Sequence, residues 1–517
     1  MVALGILLSR LVGLVRNRVF AHYFGTSDAA DAFNAAFRIP NFLQNLFGEG
    51  VLSASFIPVY AGLRARGEHE EARRVAGAVA GLLALVTSLL VLAGVLLTPW
   101  LIAAIAPGFQ GEKRELTIRL VRILFPGAGL LVLSAWCLGV LNSHQRFFLS
   151  YAAPVLWNLA IIASLLARGS LGQFALAEVA AWGAVLGSLL QFAVQLPTVV
   201  RLLGGRIAGI GWHGPPVAAV LRNFGPVFVG RGVVQISAYV DTVLASLLPT
   251  GAVAAVSYAQ VLYTLPVSLF GMSVSAAELP AMSSATGSDA ERAAYLRGRL
   301  GAGLRQIAFF VVPSAVAFLA LGDVIAGALY QSGEFTRSTT LYVWGILAGS
   351  AVGLLASTMG RLYASTYYAL QDTRTPLRYG IVRVALTVGL GYLFALPLPR
   401  ALGLDPRWGA AGLTASAGIA GWLEFLLLRR TLNARIGVTG LSLPLTAKLW
   451  TAAVAGAAAA WILRAAIPVR HPVGEATLLL GAYGGIYLLV TARLGVSEAA
   501  ALLRRLQPRE PGTGRAG

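Results

Sequence analysis

Residues 75–97 read VAGAVAGLLALVTSLLVLAGVLL. The run carries no charge and lacks the alternation of a barrel strand, and as a helix it is long enough to cross a hydrocarbon core of about 30 Å. Apolar runs of this kind recur along nearly all of the 517 residues, which are 57% hydrophobic and 12% charged, with a mean hydropathy of +0.74. The chain therefore reads as an all-α polytopic membrane protein. Fourteen spans are predicted, beginning near residues 2, 29, 75, 116, 150, 174, 218, 252, 303, 338, 376, 408, 443 and 474. No amino-terminal signal peptide is expected, because Arg10, Arg16 and Arg18 interrupt the first apolar segment.

Loop charges test the count independently. Twenty-two arginines fall on one set of alternate loops and the tail, and eight basic residues on the other. The positive-inside rule then puts both termini in the cytoplasm. The net charge of +19 is mostly topological, and its spread over short loops excludes a nucleic-acid-binding domain. Cys137 is the only cysteine, so neither an internal disulfide nor a thiolate metal cluster can form.

The second span departs from a plain anchor. Asp31, Asn34, Arg38, Asn41, Asn45 and Glu49 fall within an arc of about 80° on one helix face if the helix continues through Pro40. Ionisable groups at membrane depth turn toward protein or a water-filled cavity, so this face reads as a cavity wall. The order Ile39-Pro40, Phe47-Gly48, Pro58 returns as Leu265-Pro266, Phe270-Gly271, Pro280. The eighth span carries a matching stripe of Ser257, Gln260, Thr264, Ser268, Ser275 and Glu278. The predicted organisation is an amino-terminal six-helix lobe (1–210), a second six-helix lobe (215–437), two appended helices (438–496) and a basic cytoplasmic tail (497–517), with the site between the repeated halves.

Each arginine of the first span costs roughly 2.5–3.5 kcal/mol near mid-membrane, so Arg10 and Arg16 are expected to face the cavity, while Arg18 can snorkel. In the seventh span Arg231 shares a face with Gln235 and Thr242, with Asp241 offset. An arginine-rich cavity suits an anionic substrate, since guanidinium pairs bidentately with phosphate. Asp31, Glu49, Asp241 and Glu278 leave three roles open: balancing arginine charge, binding a coupling cation, or gating by exchange of partners.

These residues together resemble the MurJ (MviN) family of lipid II flippases, within the multidrug, oligosaccharidyl-lipid and polysaccharide exporter superfamily. The resemblance is carried by Ser9-Arg10 through Arg16, Phe24-Gly25, Asp31-Ala32-Phe33, Pro40-Asn41, Phe47-Gly48-Glu49-Gly50 and Phe56-Ile57-Pro58. Weaker matches follow at Gln235-Ile236-Ser237, Ser257-Tyr258-Ala259, Gly333-Glu334-Phe335-Thr336 and Asp372-Thr373-Arg374-Thr375-Pro376. It implies fourteen helices in two six-helix lobes around a central cavity, and a hydrophobic groove for the lipid tail made by the last two helices. It also implies alternating access that moves an undecaprenyl-pyrophosphate-linked precursor to the outer leaflet of the bacterial cytoplasmic membrane. The family's functional positions that match are Arg10, Arg16 and Asp31.

Three positions depart from the family pattern: Asn17 stands where an Asp is common, and Gln44 and Val261 stand where arginines are. Arg38 and Arg231 are expected to replace the missing charge. The candidate site is thus Arg10, Arg16, Asp31, Arg38, Asn41, Gln44, Arg231, Gln260 and Glu278, with Asn17 and Glu49 as gating or ion-pair residues. Asp241 and Asp372 are candidates for a coupling cation, although Asp372 also reads as a turn residue at a helix end. No cofactor is expected, and the coupling is to Na+, H+ or membrane potential. The expected partners are lipid II and membrane lipids, for a monomeric transporter that can associate with cell-wall synthesis machinery. A membrane glycosyltransferase would need a catalytic loop that the short external connections do not supply. An exporter of another polyprenyl-linked oligosaccharide, a drug/cation antiporter and a scaffold are the remaining alternatives.

Overall fold

Burying a membrane helix's backbone polar groups requires that each segment satisfy its own hydrogen bonds, and the computed structural model is helical throughout. It describes residues 2–47, 49–205, 214–467, 469 and 471–506. Among these the only β pairing is an isolated bridge between Ser332 and Phe335.

The chain forms two compact units, Met1–Ala255 with Ser332–Thr336, and Val256–Gln331 with Arg337–Gly517. The first contains α1 (Val2–Phe24), α2 (Asp28–Phe47), α3 (Glu49–Ala65), α4 (His69–Ile105), α5 (Gly111–Ser143), α6 (Phe147–Ala167), α7 (Gln173–Leu202), α8 (Pro215–Ser246) and the first turn of α9 (Ala252–Pro266). The second contains the rest of α9, a π-helical turn at Val267–Met272, α10 (Ser273–Ser283), α11 (Asp289–Tyr330), α12 (Arg337–Ala351), α13 (Leu354–Ala369), α14 (Arg374–Ala395), α15 (Pro397–Ala401), α16 (Gly409–Ile436), α17 (Leu443–Ala466), α18 (Pro472–Arg493) and α19 (Ser497–Leu506).

Among the described residues, ten helices are long and apolar enough to cross a membrane, or eleven if α12 and α13, bent by 42°, count as one span. α1 and α2 are not among them. Three arginines disqualify α1, and two carboxylates, Arg38 and three asparagines disqualify α2. The second stripe helix is interrupted where the sequence repeat places Phe270-Gly271, as α9 passes through the π turn into α10; the first runs as α2 to Phe47 and as α3 from Glu49, with Gly48 outside the described residues. π turns arise where the regular hydrogen-bond ladder is interrupted, and they concentrate at functional places.

In the first unit α5 is central, packed against α2, α4 and α7. Trp136 is buried there, and its indole donates to the Ala76 carbonyl at 3.1 Å. Gln191 donates to Ser134 Oγ, which donates to Gln195, each at 3.0 Å. Such pairs hold membrane helices together where the hydrophobic effect does not act between them.

In the second unit α11 is central. Its 42 residues leave helical geometry at Leu321 (φ −130°, ψ 15°), and the stretch before that kink, residues 289–320, spans about 48 Å at 1.5 Å per residue, so its first turns project beyond the hydrocarbon. Pro313 inside α11 deprives the Phe309 carbonyl of its helical donor. The Tyr487 hydroxyl of α18 replaces that donor at 2.6 Å, and Tyr483 donates to the Pro313 carbonyl at 2.7 Å. At the far end of α11, Asp323 is buried and accepts from Arg337 of α12 at 2.6 Å and from Arg464 of α17 at 2.9 Å. Arg464 also meets Glu475 of α18 at 2.9 Å. Two tyrosines and one buried carboxylate thereby fasten the last two membrane helices to the second unit.

Candidate functional site

The most complete polar constellation in the first unit is built on Asp31. Ser27 caps α2 by accepting from the Ala30 amide at 3.2 Å. This starts the helix so that Asp31, one turn in, points toward the turn joining α8 to α9. Only 1% of Asp31 is exposed. Oδ2 accepts from Lys113 Nζ at 2.6 Å and from the Gly251 amide at 2.7 Å, and Oδ1 accepts from the Ala254 amide at 2.8 Å. Gly251 and Ala254 supply amides at the start of α9, where the helix has none of its own acceptors. An anion there is also favoured by the helix dipole. Lys113, near the start of α5, lies over the Phe109 ring at 4.4 Å and also meets Asp28 at 2.9 Å. Thr250 donates to Asp28 at 2.9 Å. One buried carboxylate thus ties α2, α5 and α9 together, at the point where the chain passes from one unit to the other.

Gly251 makes this geometry available. It sits at φ +92°, and a Cβ there would lie 2.5 Å from the Thr26 carbonyl oxygen. The Gly333-Glu334-Phe335-Thr336 segment belongs to the first unit and meets the end of α1: the Glu334 amide donates to the His22 carbonyl at 2.8 Å and Phe335 is fully buried.

The predicted site residues are distributed as follows. Along the α2 stripe exposure rises from buried Asp31, through half-buried Asn34, Arg38 and Asn41, to exposed Asn45, and Gln44 is half-buried. The Arg38 carbonyl accepts from the Tyr239 hydroxyl of α8 at 2.8 Å. Asn41 borders a pocket of about 20 Å³ with Phe37, Pro40 and Trp157, enough for one water molecule. On α1, Arg10 is exposed and Arg16 is half-buried. The Arg16 guanidinium lies 5.0 Å from the Trp157 ring centre and donates to Asn17 Oδ1 at 2.8 and 3.2 Å. The side chains of Glu49 and Arg231 lie outside the described residues.

In the second unit Gln260 is exposed and donates to Thr264 at 3.3 Å, while Glu278 pairs with Arg299 of α11 at 2.7 Å. Asp372 accepts from the Arg374 and Thr375 amides and the Thr375 hydroxyl, and pairs with Arg435 at 2.7 Å. The hydrogen bonds from Thr375, with Arg435 beside it, hold its carboxyl down at about 2. Asp241 is half-buried on α8. Among the described residues no three His, Cys, Asp or Glu side chains come together to hold a metal ion.

Sequence reading passed over Lys113 and Trp157. Composition holds a signal for the first: of 40 basic residues only two are lysines, Lys113 and Lys448.

The fold defines a class. It matches an inward-facing MATE-family multidrug resistance transporter of the MOP superfamily with a TM-score of 0.67 at 19% identity, covering 82% of this chain and 95% of that one. It matches a structure of the lipid II flippase MurJ in an inward closed conformation with a TM-score of 0.77 at 23% identity, covering 98% and 99%. Among curated relatives, the lipid II flippase MurJ of Burkholderia cenocepacia is 32% identical over 438 residues, covering 83% of this chain and 82% of that one. The probable lipid II flippase MurJ of Rhizobium meliloti is 32% identical over 521 residues, covering 96% and 94%. With the family model "Lipid II flippase MurJ" matching residues 20–473, the chain belongs to the MurJ family. It is a multi-pass membrane protein and a transporter.

Proposed function

We propose that this chain is a lipid II flippase, moving the undecaprenyl-pyrophosphate-linked peptidoglycan precursor from the inner to the outer leaflet of the bacterial cytoplasmic membrane by alternating access. The observation that carries the reading is the family match over residues 20–473, supported by relatives that match along 96% of the chain.

In this reading Arg10, Arg16, Arg38 and Arg231 supply the positive charge that meets the diphosphate, with Asn41, Gln44, Gln260 and Glu278 as polar lining. A diphosphate spreads its charge over several oxygens, and guanidinium groups pair with two at once without losing their own charge at any cellular pH. Asp31 acts as a latch rather than a ligand: its acceptors are filled by Lys113 and two amides. Asn17 orients Arg16, and Glu49 belongs to the gating set. Both termini lie in the cytoplasm, on the strength of the 22-to-eight loop asymmetry. The Asp31 cluster, on the loops poor in arginine, then lies at the outer face. Transport draws on Na+, H+ or the membrane potential, with Asp241 as the acidic candidate for an ion. The transporter works as a monomer that can associate with wall-synthesis enzymes.

Depletion in cells supplied with labelled precursor tests the reading. Outer-leaflet lipid II should fall while cytoplasmic precursor accumulates. An unchanged leaflet distribution would instead favour export of another polyprenyl-linked oligosaccharide.

A further inference from the structure

The second lysine, Lys448, stands in a cavity of about 370 Å³ in the second unit. Its walls include Gly301 and Arg305 of α11, Ser442 before α17, Lys448 itself, Gly495 between α18 and α19, and Ser497 at the start of α19. Lys448 donates to the Leu494 carbonyl at 2.7 Å, which uses one of its three donors. Arg305 meets Glu498 at 2.8 Å and also donates to Ser497. Among the described residues no carboxylate lines the cavity, so its wall is cationic. Ser442 precedes α17 without a side-chain cap, and Pro444 occupies the first turn.

The surroundings are those of a membrane surface. The cavity lies where α16 and α18 end and α17 begins, at helix ends whose last turns carry Arg429, Arg430, Arg435 and Arg493. Leu443 is 81% exposed, and Leu494 and Leu503 are also exposed. α19 buries Ala499 while presenting Arg504 outward, as an interfacial helix does. A charged pocket rimmed by exposed leucines is complementary to a molecule with an anionic head and hydrocarbon attached.

We propose that this cavity binds the phosphate head group of an anionic phospholipid of the surrounding leaflet, with Lys448 and Arg305 as its cations. Lys448 is the principal ligand, because Glu498 partly neutralises Arg305. The cavity shares no lining residue with the polar stripes, and its ligand does not depend on what the transporter moves.

The test uses the full chain in phosphatidylcholine nanodiscs doped with photoactivatable phosphatidylglycerol, with labelled peptides identified by mass spectrometry. Labelling should concentrate on residues 440–448 and 495–497. Excess unlabelled phosphatidylglycerol should compete, whereas added phosphatidylcholine or millimolar inorganic phosphate should not. Lys448→Gln should weaken labelling about fivefold, as expected for one basic residue at an anionic surface, and Arg305→Gln should weaken it less, while Lys448→Arg keeps it and Glu498→Gln strengthens it. Equal labelling by photoactivatable phosphatidylcholine, displacement by inorganic phosphate, or insensitivity to the double variant Lys448→Gln/Arg305→Gln with unchanged far-UV dichroism would overturn the proposal.

Discussion

Replacing Asp31 by Asn keeps the side chain's size and removes its charge, which makes it a sensitive probe of the α2–α5–α9 junction. The carboxylate uses both oxygens, Oδ1 toward the Ala254 amide and Oδ2 toward the Gly251 amide and Lys113. An asparagine presents one acceptor and one donor. In its better orientation the oxygen keeps Gly251 and Lys113, and the new NH2 faces the Ala254 amide. That leaves a buried amide without an acceptor, at about 1–3 kcal/mol, and reduces the Lys113 bond from charged to neutral, at about 1 kcal/mol more. The sum of about 3 kcal/mol sits at the low end for breaking a buried pair, as it should with Asp28 still 2.9 Å from Lys113. Lys113→Met should cost a similar amount by leaving the carboxylate to the amides alone. In the double variant the two penalties overlap, and the coupling should be about 2 kcal/mol, within the range for directly contacting groups. Equilibrium unfolding in mixed detergent micelles, followed by far-UV circular dichroism, measures all four corners of the cycle. Additivity within about 0.5 kcal/mol would refute the reasoning, because two groups 2.6 Å apart in a buried site cannot act independently.

Tyr487→Phe should destabilise the protein by about 1–2 kcal/mol, since it again orphans the Phe309 carbonyl beneath Pro313. The same unfolding assay reads it, with Tyr392→Phe at an exposed position as the neutral control. Gly251→Ala should cost about 1–3 kcal/mol from positive φ alone, and more from the approach to Thr26, so a neutral result would mean the turn is built differently. The Asp372 carboxyl is held near 2, below the value of about 3.9 of an unfolded chain. Its contribution is therefore complete above pH 4 and lost as the pH falls through 2. Wild type and Asp372→Asn should differ in stability at pH 6 and converge near pH 2, as acid unfolding midpoints will report. For transport, Arg10→Ala should abolish flipping in cells, and Arg38→Ala and Arg231→Ala should each reduce it. If both of the latter leave flipping intact while Arg10→Ala abolishes it, the relocated-charge reading fails.

Helix positions were legible because a bilayer punishes every unsatisfied amide: the apolar run at 75–97 lies inside α4, and Pro266 marks the helix that passes directly into a π turn. The polar stripe was legible for the same reason, since charge on a membrane helix must find a partner. What the stripe could not disclose was which partner. Asp31 meets a lysine 82 positions away and two amides 220 and 223 positions away, and backbone amides leave no residue-type signature to read. Trp157 was missed because a tryptophan on an apolar helix looks like packing until an arginine appears 5.0 Å from its ring. The lysines did leave a trace. In a chain that otherwise uses arginine for nearly every positive charge, Lys113 must fit a compact ammonium between two carboxylates and an aromatic ring, a space unsuited to a planar fork. Lys113→Arg should therefore destabilise the junction despite preserving charge, and an arginine variant as stable as wild type would show that charge alone is required there.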